Sequence, residues 1–357
     1  VLPSARNALN FYKSSYGGDN QVFHRQLILL VALWLVPHLA VADDPAQIRV
    51  GIIGLDTSHA INFPEIMNDP DSTGDLALCH VVAAYPQGSP DIESSVSRVP
   101  KYTAQIEEMG IEIVDSIDQL LTRVDAVLLE TNDGRPHLEQ ALPCFRAGKR
   151  VFIDKPMAAS LVDVLAIFTA AEKYEVPTFS SSSLRYGKTT QQVRHGSIGT
   201  VSECVGQSPV HLEKTHPDLY WYGIHGVESL FTVMGTGCVS VQRGTYDDGK
   251  IEVVGRWPNG RTGKFRQGQG YSGHAIGENG EATIGAYDGY APLLVEVARF
   301  FRTGEVPVEP AETIELHAFM TAADESQRLG GAEVELDDLI RRARSQVPAR
   351  LAEFEGE

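Results

Sequence analysis

Between Gln47 and Ser180 the sequence alternates short, uncharged apolar runs with amphipathic stretches long enough for helices, and this alternation restricts the fold more than any other feature. Gln47–Leu55, Ala77–Ala84, Ala126–Glu130, Arg150–Ile153 and a run starting at Thr178–Ser180 read as strands. His59–Asn68, Ile117–Leu121, Pro136–Gly148 and Leu161–Tyr174 read as helical segments between them. Near-continuous apolar strands are buried on both faces, and returning to start a parallel neighbour takes a crossover that a helix supplies. The expected fold class is therefore α/β: an N-terminal Rossmann-like, doubly wound parallel sheet, with ligands at the carboxyl ends of its strands.

From about Arg185 the texture changes to Gly-rich segments with alternating β-branched and aromatic residues: Val239–Tyr246, Lys250–Arg256, Gly263–Gln267 and Ala282–Ala286. With helices expected at Tyr222–Met234, Pro292–Thr303 and Ile314–Arg328, this half reads as an α+β domain with an open, mostly antiparallel sheet. A chain of 357 residues exceeds what one core usually supports, which fits two domains.

Upstream, Leu27–Val36 is an uncharged apolar run preceded by His24 and Arg25 and followed by Ala40-Val41-Ala42, the order of a secretory signal with cleavage after Ala42. Extended to Ala42 the run is about 16 residues, short of the roughly 20 that span a bilayer, although an uncleaved anchor is the alternative. The 24 residues before Arg25 are polar, carry Gly17-Gly18 and do not suit a signal peptide; a mis-assigned start would account for them. The expected organisation is 1–42 upstream segment and signal, 43–175 dinucleotide-binding domain, and 176–357 substrate and oligomerisation domain, in a periplasmic or extracellular protein free of the membrane after cleavage. A formal charge of −17 with no basic cluster argues against nucleic acid as a partner. Cys79, Cys144, Cys204 and Cys238 show no metal or redox spacing.

The strand Arg49–Gly54 runs through Leu55-Asp56-Thr57-Ser58-His59 into a helix, where a dinucleotide fold carries Gly-x-Gly-x-x-Gly. Only Gly54 is retained; Asp56 and His59 occupy the other glycine positions. Either Asp56 caps the helix and fills with its own anion the positive N-terminus a phosphate would use, or it turns away and Thr57, Ser58 and their amides hold a displaced cofactor. A turn with no ligand is the plainer alternative. The second strand ends at Ala84-Tyr85-Pro86, without the acidic residue that usually takes the ribose hydroxyls.

Thr131-Asn132-Asp133-Gly134-Arg135-Pro136-His137 and, further on, Ala147-Gly-Lys-Arg-Val-Phe-Ile-Asp154-Lys155-Pro156 resemble the Gfo/Idh/MocA oxidoreductases, in which a strand ends in Glu-Lys-Pro after a helix closing in Ala-Gly-Lys-x-Val. The resemblance continues through Ser183-Leu-Arg185, Gly196–Val201, Phe300–Gly304 and Ala322–Gly331, from Gln47 to about Leu336. It implies a nicotinamide cofactor, NAD or NADP, a sugar or polyol substrate, and a homodimer or homotetramer. By the same resemblance, Gly54, Asp56, Thr57, Ser58, His59, Thr131, Asn132, His137, Asp154 and Lys155 are the candidate cofactor residues. Lys155 would hold the substrate hydroxyl, as opposed to being a solvated surface lysine.

The family's Asp-x-Gly-x-His-x-x-Asp stretch corresponds to Trp221-Tyr-Gly223-Ile-His225-Gly-Val-Glu228. His225 is the expected proton-exchanging residue, since imidazole titrates near neutrality; a satisfied core histidine is the alternative. Trp221 replaces the first carboxylate, so a relay would use Tyr222, Glu228 or water, and the indole could stack on a sugar face. Arg185 could bind a substrate oxygen or pair with a carboxylate. His211, Glu213 and His216 follow no metal-ligand spacing and read as a loop facing the substrate, so no metal is expected. The expected activity is NAD(P)-dependent oxidation of a carbohydrate or polyol. A redox-assisted glycosidic lyase would look the same, and a non-redox carbohydrate-binding protein is the reading from another class.

Overall fold

The computed structural model describes residues 47–354. The expected signal segment and its cleavage site lie outside the described residues. Within them no helix is long and apolar enough to cross a membrane.

Six parallel strands form the first sheet: β1 (Ile48–Ile53), β2 (Cys79–Tyr85), β3 (Glu112–Ile113), β4 (Ala126–Leu129), β5 (Arg150–Ile153) and β6 (Thr178–Ser180). Their order is β3-β2-β1-β4-β5-β6, so the winding reverses between β1 and β4 and opens a crevice at the carboxyl ends of those strands. Every residue of β4 is buried, as its unbroken apolar run requires. The connecting helices are α1 (His59–Met67), α2 (Glu93–Glu108), α3 (Ile117–Leu121), α4 (His137–Arg146) and α5 (Leu161–Lys173). Helix α2 escaped the sequence reading for a physical reason: it buries only Ser95 and Ile106, has Pro100 inside it, and so lacks an apolar stripe.

After α6 (Lys188–Arg194), a seven-stranded sheet follows, built from β7 (Val201–Ser208), β8 (Ser240–Tyr246), β9 (Lys250–Arg256), β10 (Thr262–Gln267), β11 (Ser272–Gly277), β12 (Gly280–Ile284) and β13 (Val334–Glu335). In the order β12-β11-β7-β10-β9-β8-β13, only β7 and β10 pair in parallel; the other pairs are antiparallel. Strands β7 and β11 were not expected, because Val201–Ser208 and Ser272–Gly277 are largely polar or small and bury few side chains. Helix α7 (Ile224–Met234) packs on this sheet through nearly all of its surface, and Gly206 on β7 has no room for a Cβ against the Gly226 carbonyl, 2.3 Å away.

Helix α8 (Ala291–Thr303) returns to the first sheet, where Phe300 meets Phe179 edge-on at 4.9 Å and Phe179 lies 5.1 Å from Phe152. Helices α9 (Pro310–Arg328), α10 (Leu336–Arg344) and α11 (Val347–Ala352) complete the chain.

His317 on α9 is almost fully buried and its Nδ1 donates to the Thr313 carbonyl, while Nε2 has no partner. Burial pushes its pKa down to about 4 from an ordinary 6.5. The unfolded chain therefore binds a proton that the folded one refuses between those values. The stabilisation from keeping His317 neutral is full above pH 6.5 and is lost as pH falls toward 4, on the order of 3 kcal/mol. His317→Leu is expected to flatten that part of the acid-stability curve, measured by urea unfolding at pH 7, 5.5 and 4.5. A wild-type slope unchanged in the variant would assign the acid sensitivity elsewhere.

Candidate active site

Gly54 ends β1 with φ of +95°, and a Cβ there would sit 2.5 Å from the Thr131 amide nitrogen, so glycine is required by both conformation and space. The next residues decide between the two readings of Asp56. Its side chain is fully buried: Oδ1 accepts the Asn132 amide at 2.8 Å and Oδ2 accepts the Ser95 hydroxyl at 2.6 Å. Asp56 thus turns away from α1 and ties the first turn to the β4 loop and to α2. Its carboxyl is raised, chiefly by burial and against those two bonds. Ser58, at the helix N-cap, makes no capping bond, and the amides of Thr57 and Ser58 donate to none of the described residues. They are donors at a helix start, and no carboxylate among the described residues lines the cavity there.

These residues form one end of a cavity of about 320 Å³. Thr57, Ser58, His59, Ser94, Arg98 and Asn132 wall that end; Lys155, His211, Trp221, Tyr222, His225 and Tyr271 wall the other, with Tyr287 and Tyr290 beside them. No carboxylate lines it, in a chain with 47 of them. Arg98 also donates to the Asp56 carbonyl at 3.2 Å. Hydroxyls, free amides and a guanidinium, with no carboxylate among the lining residues and Asp56 buried behind them, suit a diphosphate, so the residues present fit the phosphate part of a dinucleotide.

Lys155 is 6% exposed with Nζ 5.9 Å from the Tyr222 ring centre, so it is a buried cation of the cavity wall and not a solvated lysine. His225, 8% exposed, has Nδ1 2.7 Å from the Ser182 hydroxyl and rings of Tyr222 and Tyr271 edge-on at 5.7 and 5.4 Å. Burial, and then the neighbouring Lys155 ammonium, hold its pKa well below the ordinary value. It is a neutral imidazole at pH 7, which corrects the expectation of titration near neutrality: with one ring N–H and one free nitrogen, it can accept a second proton but does not rest with it.

Other candidates lie behind the wall. Both His137 ring nitrogens face carbonyl oxygens, Thr131 at 2.8 Å and Met157 at 3.1 Å, which clamps the β4 loop to the Lys155-Pro156 turn. Thr131 is fully buried and donates to Gln140. Asp154 holds the His59 Nδ1 at 2.8 Å. These three support the cavity without lining it. Arg185, 2% exposed, pairs with Glu228 and Glu312, and Arg194 joins it on Glu312 at 3.1 Å. Of the two uses considered for Arg185, carboxylate pairing is the one realised. Glu228 is occupied by Arg185 and Ser181, which takes it out of any relay. His216 lies 3.2 Å from Asp133, and His211 stacks edge-on against Tyr222; with Glu213 they form no metal cluster. Ser94, Arg98, Tyr271, Tyr287 and Tyr290 went unnoticed in the sequence, where no motif connects them.

Residues 48–181 match the model of the Gfo/Idh/MocA oxidoreductase family, described as an NAD-binding Rossmann fold. In these residues the chain is similar to the Gfo/Idh/MocA family. Inositol 2-dehydrogenase 3 of Saccharopolyspora erythraea is 28% identical over 161 residues, 43% of this chain and 46% of that protein. Myo-inositol 2-dehydrogenase of Thermotoga maritima is 27% identical over 42% of each chain. The matches thus span less than half of these relatives' length. In three dimensions the likeness to solved structures extends further. An aldose–aldose oxidoreductase from Caulobacter crescentus, solved with glycerol, superposes with a TM-score of 0.64 at 17% identity over 81% of this chain and 99% of its own. A scyllo-inositol dehydrogenase from Lactobacillus casei with NAD(H) and scyllo-inositol gives 0.62 at 15% identity over 82% and 99%. Both sheets of the fold, parallel and mixed, therefore have counterparts in these solved structures.

Proposed function

We propose that this chain is an NAD(P)-dependent oxidoreductase acting on the CH–OH group of a sugar or polyol. The observation that carries this reading is a single cavity with a carboxylate-free, anion-accepting wall at the helix start and, at its other end, the Lys155 ammonium beside the neutral His225. The names of the related inositol dehydrogenases supply the substrate class. A bound nicotinamide would accept the hydride from the carbinol carbon. His225, through Nε2, takes the hydroxyl proton, and Lys155 stabilises the negative charge that gathers on the oxygen. The Trp221, Tyr222 and Tyr271 rings offer faces for the apolar side of a sugar ring and exclude water. Asp56 turning inward favours this reading over a binding-only protein.

Two substitutions test it against native mass spectrometry with NAD and NADP. Arg98→Met is expected to weaken nucleotide binding by about 10- to 100-fold, the loss of one charged hydrogen bond to phosphate. Asp56→Gly is also expected to weaken it, because the Asn132 amide and Ser95 lose their acceptor; a gain in affinity would restore the obstructing role of Asp56. Failure of the unaltered chain to bind either nucleotide at millimolar concentration would end the redox reading. Export through the apolar segment and association through the open sheet belong to the same proposal, and are checked by cell fractionation and by light scattering.

A further inference from the structure

Beneath the cavity, three residues from separate strands converge. His59 begins the helix after β1, Glu130 follows β4, and Asp154 follows β5, and in the order β1-β4-β5 these strand ends are neighbours. One donor atom from each lies within 4.8 Å of the others, and all three residues are buried. His59 Nδ1 is 2.8 Å from Asp154 Oδ2 and 3.8 Å from Glu130 Oε2. The ring is stacked on Phe63 at 4.8 Å and held edge-on by Tyr290, so its direction is set.

Hydrogen bonding leaves this cluster incomplete. Both Glu130 oxygens and Asp154 Oδ1 are buried without any partner. A proton on the His59 nitrogen serves Asp154 Oδ2 alone. A proton on Glu130 removes its charge but leaves a hydroxyl with no acceptor and a carbonyl with no donor, both desolvated. A cation held by one donor atom of each residue gives both carboxylates a partner and offsets their charge together.

We propose that His59, Glu130 and Asp154 bind a divalent first-row transition metal ion such as Zn²⁺ or Mn²⁺. One imidazole nitrogen with two carboxylates suits these ions better than Mg²⁺ or Ca²⁺, which take all-oxygen shells. Metal–ligand lengths of about 2.0–2.2 Å place donors roughly 3.2–4 Å apart. The His59–Asp154 pair opens slightly on binding and the widest pair closes slightly. Two carboxylates balance the ion's charge, and it enters from the cavity past His59, which lines it. Spacing in sequence could not reveal the site, since positions 59, 130 and 154 meet only through the sheet. The proposal stands apart from the redox reading, because its readout is metal content.

The full chain is stripped with a chelator, equilibrated with Zn²⁺ or Mn²⁺ at about 10 μM, washed, and measured by inductively coupled plasma mass spectrometry, with thermal unfolding in parallel. The expected result is about one retained ion per chain with a raised Tm, falling at least tenfold in Glu130→Gln. His59→Asn provides a second variant at the cavity edge should Glu130→Gln fail to fold. Retention below about a tenth of an ion by the unaltered chain overturns the proposal and leaves a buried water as the partner of Glu130. Retention unchanged in a folded variant overturns it equally, placing the ion at other ligands.

Discussion

Lys155→Met is expected to lower kcat for sugar or polyol oxidation by about 10²- to 10³-fold while nucleotide affinity stays within about threefold. The methionine matches the lysine stem in length, so the 6% exposed side chain can be replaced without opening the wall or adding strain. Only the ammonium is lost, and with it the charge that, in the proposed reaction, stabilises the oxygen as the carbon gives up hydride. Because that charge also helps hold His225 neutral, the variant should shift the acid limb of the kcat profile upward in pH as the imidazole becomes easier to protonate. Steady-state kinetics from pH 5 to 9 measures both effects. A kcat within tenfold of the unaltered enzyme, with no movement of the acid limb, would remove Lys155 from the reaction.

The largest loss of stability is expected from Arg185→Met, about 3–5 kcal/mol by urea unfolding. Arg185 is 2% exposed and is shared by Glu228 on α7 and Glu312 on α9, so its removal strands carboxylates in the interior. Glu312 keeps Arg194, whereas Glu228 keeps only the Ser181 hydroxyl, a 3.1 Å contact. Adding Glu228→Gln should therefore recover a substantial part of the loss, since it removes the charge left without a cation. A loss below about 1 kcal/mol in the single variant, or no recovery in the double, would mean that water reaches the network. The network also ties the parallel-sheet half to the mixed-sheet half, because Arg185 follows β6 of the first sheet and both carboxylates lie on helices beside the second.

The parallel sheet was legible because its strands are buried on both faces and must be apolar throughout, as at Ala126–Leu129. Helix α2 and strands β7 and β11 were not, because they carry one or no continuous apolar face and owe their place to neighbours. Lys155 and His225 were recognisable by motif. Arg98 and Tyr271 were not, being brought to the cavity by elements whose own sequences carry no signal.

Local sequence by itself determined the alternation of strands and helices, the glycine at position 54, and the Asp-Lys-Pro and Gly-x-His segments through which the chain resembles the Gfo/Idh/MocA oxidoreductases. Each of these depends on interactions within a few residues or on a burial pattern that every strand must satisfy alone. Only the tertiary structure decided what the polar residues do: that Asp56 faces Ser95 and Asn132 and leaves the helix start open, that Arg185 and Glu228 neutralise each other, and that His225 rests uncharged. The charge and hydrogen-bonding state of a polar group depends on which distant groups share its low-dielectric surroundings, and that is settled by packing between elements far apart in the chain.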